Sequence, residues 1–126
     1  MEVFTSSPVG RIHLLECADI PHAMQIQMKQ QKIRLSYKDG IGYEIPLGNT
    51  NIVVVVTETG LVGNHAIDIQ GLENFDYPAA RIGPAEGDVV DTIGDLLQGE
   101  VREVNLHAAQ RMIDIGMPAM EALNRI

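Results

Sequence analysis

Asn64, His65 and Asp68 form the densest group of potentially reactive side chains in this 126-residue chain. If a helix begins near His65, then His65 and Asp68 share one of its faces. A histidine beside a carboxylate can bind a metal ion or act as an oriented base. Two such groups fall short of a structural zinc site, which normally has about four ligands. The competing reading is local: Asn64 caps the helix and Asp68 bonds nearby backbone, favoured by the helix dipole.

Thr59, Gly60 and Gly63 belong to the same stretch and complete the expected ligand-binding set with Arg81. Arg81 lies near the end of a short expected strand, where it could hold an anion close to residues 60–65. His107 reads first as a partly buried structural histidine. In a metal-binding version of the site it would join His65 and Asp68, and Asp91 is a further group that an enzyme could bring in. Other motifs are absent. Ser6-Ser7 has no GxSxG context. Gly83–Gly87, GPAEG, lacks the lysine and spacing of a P-loop, and Gly60–Gly63 is not a GxGxxG fingerprint. Cys17 is the only cysteine, which rules out an internal disulfide, and it reads as core. The residues name no cofactor.

The elements that must position these groups centre on Ile52–Val56. This β-branched run fits a strand buried on both faces, with Val53 and Val55 on one side and Ile52 and Val54 on the other. Glu58-Thr59-Gly60 reads as a turn. Before the run, alternation predicts strands at Arg11–Glu16, Met24–Lys29, Ile33–Lys38 and Ile41–Ile45. Asp39-Gly40 is expected to join the last two as a two-residue turn with positive φ at Gly40. Pro46 should end the fourth strand. After the run, helices are expected at Ala66–Asn74, Ile93–Gln98 and about Val101–Ile115, with a last helix from Pro118 to about Arg125. Asp91 or Thr92 would cap the second and Gly99 stop it. Ala79–Ile82 is a short strand. Strand–helix–strand over residues 52–82 predicts a parallel pair with a right-handed crossover. The fold class is α+β, a single domain: a mixed sheet with an N-terminal β-meander and three to four helices packed on one face.

The length suits one domain with one core. The net charge of −8 is concentrated in the C-terminal half. Residues 1–63 hold five Lys/Arg and six Asp/Glu, and residues 64–126 hold four and eleven. This acidic protein is therefore not expected to bind nucleic acid, which needs cationic phosphate contacts. No stretch approaches the roughly 18 uninterrupted apolar residues of a membrane span. The N-terminus, MEVFTSSPVGR, has no basic or apolar signal regions. Together with the cysteine usage this predicts a cytoplasmic protein.

Residues 50–126 resemble the YunC-like family, small bacterial and archaeal domains of unknown function. The family's Gly-Tyr-Ile-Met-Cys-Gly-Ala-Leu-Asp type of segment aligns without a gap on Gly60-Leu61-Val62-Gly63-Asn64-His65-Ala66-Ile67-Asp68. The match resumes at Ala80-Arg81-Ile82-Gly83 and at Thr92-Ile93-Gly94-Asp95-Leu96-Leu97. It ends in Ile115-Gly116-Met117-Pro118-Ala119-Met120-Glu121-Ala122-Leu123. Two departures stand out. Asn64 replaces the family's cysteine and His65 the glycine after it, so no thiol role carries over. The resemblance implies an α/β fold and a cytoplasmic protein, with residues 1–49 as a β-rich extension. It implies no reaction.

Two functions follow. The first is a homo-oligomeric small-ligand-binding or assembly module, with its site at the strand–helix bend around residues 59–68 and a small anion as ligand. It rests on the small size, the few convergent catalytic groups and the strand edges that need cover. The second is a metal-assisted hydrolase or lyase using His65 and Asp68. The sequence alone does not decide whether the protein is an enzyme.

Overall fold

Four consecutive valines make a strand because branched side chains pack well on a pleated surface and poorly on a helix. In the computed structural model, which describes residues 28–87 and 89–126, they lie in β3 (Asn51–Val56). The other strands are β1 (Lys29–Arg34), β2 (Asp39–Pro46), β4 (Leu61–Gly63), β5 (Ala79–Gly83) and β6 (Glu100–Val104). They form one six-stranded sheet in sequence order. All neighbours are antiparallel except β4 and β5, which are parallel. Four helices complete the described residues: α1 (Ile69–Glu73), α2 (Ile93–Leu97), α3 (Leu106–Ala109) and α4 (Ala119–Arg125). The α+β class, the mixed sheet and the N-terminal meander are as expected. The expected strands at Arg11–Glu16 and Met24–Lys29 lie wholly or mostly outside the described residues.

The core forms on one face of the sheet. Val53, Val55, Val62, Ala80, Ile82 and Val101 meet Ile93 and Leu96 of α2 and Ala119, Ala122 and Leu123 of α4. Ile93 leaves no room beside β2, and Gly42 provides the clearance. On the opposite face, β-pairing places Val54, Gly63 and Arg81 in one row. Ile67 covers Gly63 so closely that a Cβ there would overlap it. Within β3, Val53, Val54 and Val55 are buried, whereas Ile52 is only half-buried.

Several expected elements differ. The first hairpin turns at Leu35–Lys38, where the Leu35 N–H bonds the Lys38 carbonyl, and Arg34 faces Asp39. Asp39 and Gly40 are therefore strand residues, and Gly40 does not have positive φ. Gly40 is small for a packing reason: a Cβ would lie 3.1 Å from Val55 Cγ1 and 3.2 Å from the Val56 carbonyl. Gln30-Gln31 is interior to β1.

The turn at Glu58-Thr59 leads into a short fourth strand, β4, and helix α1 starts later than expected. The parallel pair is thus β4–β5, and β4 separates β3 from β5. The expected helix at Val101–Ile115 is strand β6 followed by the single turn of α3. The segment beyond it returns along β6: the Val101 N–H bonds the Met117 carbonyl and the Gly116 N–H bonds the Val101 carbonyl. Gly116 takes φ +94 there, a conformation that suits glycine. Thr92 caps α2, as expected, and Pro118 occupies the N-cap of α4. No helix among the described residues is long and apolar enough to cross a membrane.

Candidate functional site

Asn64 follows β4 and is completely buried. Its Oδ1 accepts from the Val53 N–H (3.3 Å) and the Ala66 N–H (3.1 Å). Its Nδ2 donates to the carbonyls of Asn51 (2.9 Å) and Val90 (2.8 Å). Both donor hydrogens and both acceptor directions of the amide are used, so a buried polar group has no unmet demand. Asn64 does not cap a helix. It binds three separate segments together: the start of β3, the turn after β4 and the loop before α2.

His65 follows directly, and its backbone turns outward. The ring is exposed, with Nε2 3.0 Å from Thr50 Oγ1. The Thr50 hydroxyl also reaches Asp91 Oδ1 at 3.3 Å. Asp91 is held on three sides by its backbone neighbourhood. Asn51 Nδ2 donates to its carbonyl at 2.8 Å, its own N–H reaches Asp95 Oδ2 at 3.3 Å, and Asn64 fixes the preceding Val90 carbonyl. Glu44 Oε1 accepts from the Ile93 N–H at 2.7 Å and anchors the next residues. The result is a rim of Thr50, His65 and Asp91 on a scaffold organised by Asn64. It lies at the N-terminal end of β3 and the C-terminal end of β4, opposite to the end of β3 expected from the sequence.

The other expected site residues disperse. Thr59 and Gly60 occupy the far end of the β3–β4 hairpin, roughly 15 Å from His65 at a strand rise of about 3.3 Å per residue. Thr59 Oγ1 donates to the Ile126 carbonyl there, and Lys38 Nζ reaches the same oxygen at 2.6 Å. Burial, then the charge of Arg111, lowers the Lys38 amine from its ordinary range, against a smaller opposing effect of Glu58. Gly63 is buried beneath Ile67. Asp68 is the N-cap of α1, with Oδ1 accepting from the Gly71 N–H at 3.0 Å.

Arg81 is paired with Glu103, Nε to Oε1 at 3.1 Å, and Gln70 Nε2 donates to the other Glu103 oxygen at 3.2 Å. Those hydrogen bonds, Arg81's first, hold the Glu103 carboxyl below its ordinary range. His107 Nδ1 contacts Glu73 Oε2, and its Nε2 lies 3.5 Å from Asp76. The expected ligand set of His65, Asp68 and His107 is therefore not assembled. Among the described residues no group of three or more His, Cys, Asp or Glu side chains could hold a metal ion.

Thr50 was missed by sequence reasoning, because nothing local links it to residues 15 and 41 positions away. A second buried asparagine was missed too. Asn105 Oδ1 accepts from Ala79 and Ala108, and its Nδ2 donates to the carbonyls of Ile69 and Tyr77. It does for α1, β5 and α3 what Asn64 does at the rim.

Comparison with known proteins agrees with this architecture. The chain shares its fold with a protein of unknown function from Thermoplasma acidophilum, with a TM-score of 0.71 and 18% identity over 81% of this chain and 95% of that one. No curated protein sequence matches it. Residues 65–126 match the family model described as a domain of unknown function (DUF1805). By that match, the C-terminal part of the stretch read as YunC-like belongs to this family of domains of unknown function.

Proposed function

We propose that the protein is a small-ligand-binding module whose site is the rim of Thr50, His65 and Asp91. One observation carries this reading: an exposed histidine is fixed by a hydroxyl that also contacts a carboxylate, on a scaffold whose central amide is fully consumed. Loops held by a rigid framework are where binding residues concentrate. The module is homo-oligomeric in this reading, supported by large apolar side chains outside the core, including Phe75, Met112 and Ile115. Its acidic charge favours partners other than nucleic acid.

The reading as a metal-assisted hydrolase or lyase has weaker support, since Asp68 serves α1 and His107 serves Glu73. A thermal-shift screen of small metabolites tests the binding reading. Compounds that stabilise the parent should lose their effect on His65→Ala. If every stabilising compound acts equally on both proteins, the rim is not the site. Light scattering at micromolar concentration tests the oligomer, and a monomer mass overturns that part.

A further inference from the structure

The direction of the hydrogen bonds at the rim follows from counting hydrogens. The Thr50 hydroxyl carries one. An ionised carboxylate is acceptor-only, so a Thr50–Asp91 bond requires that hydrogen to point at Asp91 Oδ1. A charged acceptor also attracts it more strongly than a neutral ring nitrogen does. Thr50 Oγ1 then has only lone pairs left for His65, so His65 Nε2 must be the donor. In the neutral imidazole one nitrogen donates and the other accepts. Nδ1 is the acceptor, on an exposed ring, and makes no hydrogen bond to the described residues.

We propose that Asp91, acting through the Thr50 hydroxyl, fixes the His65 proton on Nε2 and presents Nδ1 as an outward acceptor. The rim then takes small molecules that offer an N–H or O–H donor, a protonated amine above all, and not anions. Thr50 and Asp91 are positioning residues in this arrangement. The charge agrees: Asp91 belongs to the rim, Asp95 lies beside it, and the cation expected there, Arg81, is engaged by Glu103. The choice of ligand class rests on the rim being a binding site. The placement of the proton does not.

Two measurements on the full chain test the two parts separately. The first is NMR of the ring nitrogens and their protons at about pH 8, above the ordinary histidine range. A His65 Nε2–H resonance should be visible, protected by its bond to Thr50. It should vanish in Thr50→Val and return in Thr50→Ser, which restores the hydroxyl. A proton on Nδ1, or an Nε2–H signal indifferent to Thr50→Val, overturns the proton placement. The second is titration with methylammonium and, separately, inorganic phosphate, following the signals of residues 50, 65 and 91. Saturable shifts with methylammonium alone support the ligand class. Shifts with phosphate alone overturn the ligand class and leave the rim a site. Shifts with neither overturn the binding reading itself, whatever the proton placement.

Discussion

The Asn64 side chain donates at 2.8 Å to the carbonyl of Val90, a residue 26 positions further along the chain. That bond and its three companions join segments that no local interaction would bring together. Truncation would strand two backbone carbonyls and two N–H groups in or near the interior. Each unsatisfied buried group costs about 1–3 kcal/mol. Asn64→Ala should therefore lower stability by about 3 kcal/mol or more, read by urea denaturation. Asn64→Cys, which installs the residue found in the YunC-like segment, should be nearly as damaging, because a thiol cannot replace four amide hydrogen bonds. A change below about 1 kcal/mol in both variants would show that water substitutes for the amide.

The Val54 side chain is 8% exposed on the row it shares with Gly63 and Arg81. Val54→Asp would place an unpaired carboxylate there, at a cost of about 3 kcal/mol or more. A melting temperature within a couple of degrees of the parent would contradict the central place of β3.

Gly63 and Gly40 should respond differently to alanine. At Gly63 the new methyl overlaps Ile67, and overpacking costs about 1–3 kcal/mol. At Gly40 the nearest atoms are just over 3 Å away and φ is not positive, so a shift of a few tenths of an ångström suffices. Denaturation midpoints should rank parent, Gly40→Ala, Gly63→Ala in falling order. The reverse order for the two variants would refute the packing described for Ile67.

Glu103 gives a pH signature. Its carboxyl lies below the ordinary range in the folded protein because Arg81, then Gln70, bond to it. A depressed carboxyl stabilises the fold above its unfolded value, and the stability is lost as pH falls through the folded value. The acid side of the stability profile, below about pH 4, should flatten in Glu103→Gln. Since both partners are only half-buried, the effect should be small and should shrink with added salt. A salt-independent acid limb unchanged by Glu103→Gln would remove this pair from the account.

What could be read in the sequence depended on whether the signal was local. The valine run of β3 and the Thr92 cap of α2 are local, and both were legible. The strand β6 was not. Val101 and Val104, with Ala108, Met112 and Ile115 beyond them, fit a helical stripe as written. Pairing with β5 and with the returning segment 116–118 overrides that pattern. β4 is three residues long and has too little alternation to register. The hairpin turn was misplaced because Asp39-Gly40 carries turn chemistry, while its small size serves Val55. His65 was singled out from its type and neighbours, but the contacts it makes were not legible. Its partners Thr50 and Asp91 were respectively missed and only loosely included, because their meeting depends on Asn64 stapling distant loops.

β4 also has a consequence for how the molecule opens. Within the sheet, the meander β1–β3 closes through contacts between neighbours in sequence, and β5 and β6 join it only through the three residues of β4, Leu61–Gly63, while α2 and α4 pack across the core face over β3 and β4. Cooperativity between the two halves passes along this seam and through the helices packed across it. Amide exchange at Leu61, Val62 and Gly63 then reports on the whole: protection equal to that of Val54 and Val55 means the halves unfold together. Weaker protection means the C-terminal half separates first, leaving a folded meander whose rim residues Thr50 and His65 have lost Asp91.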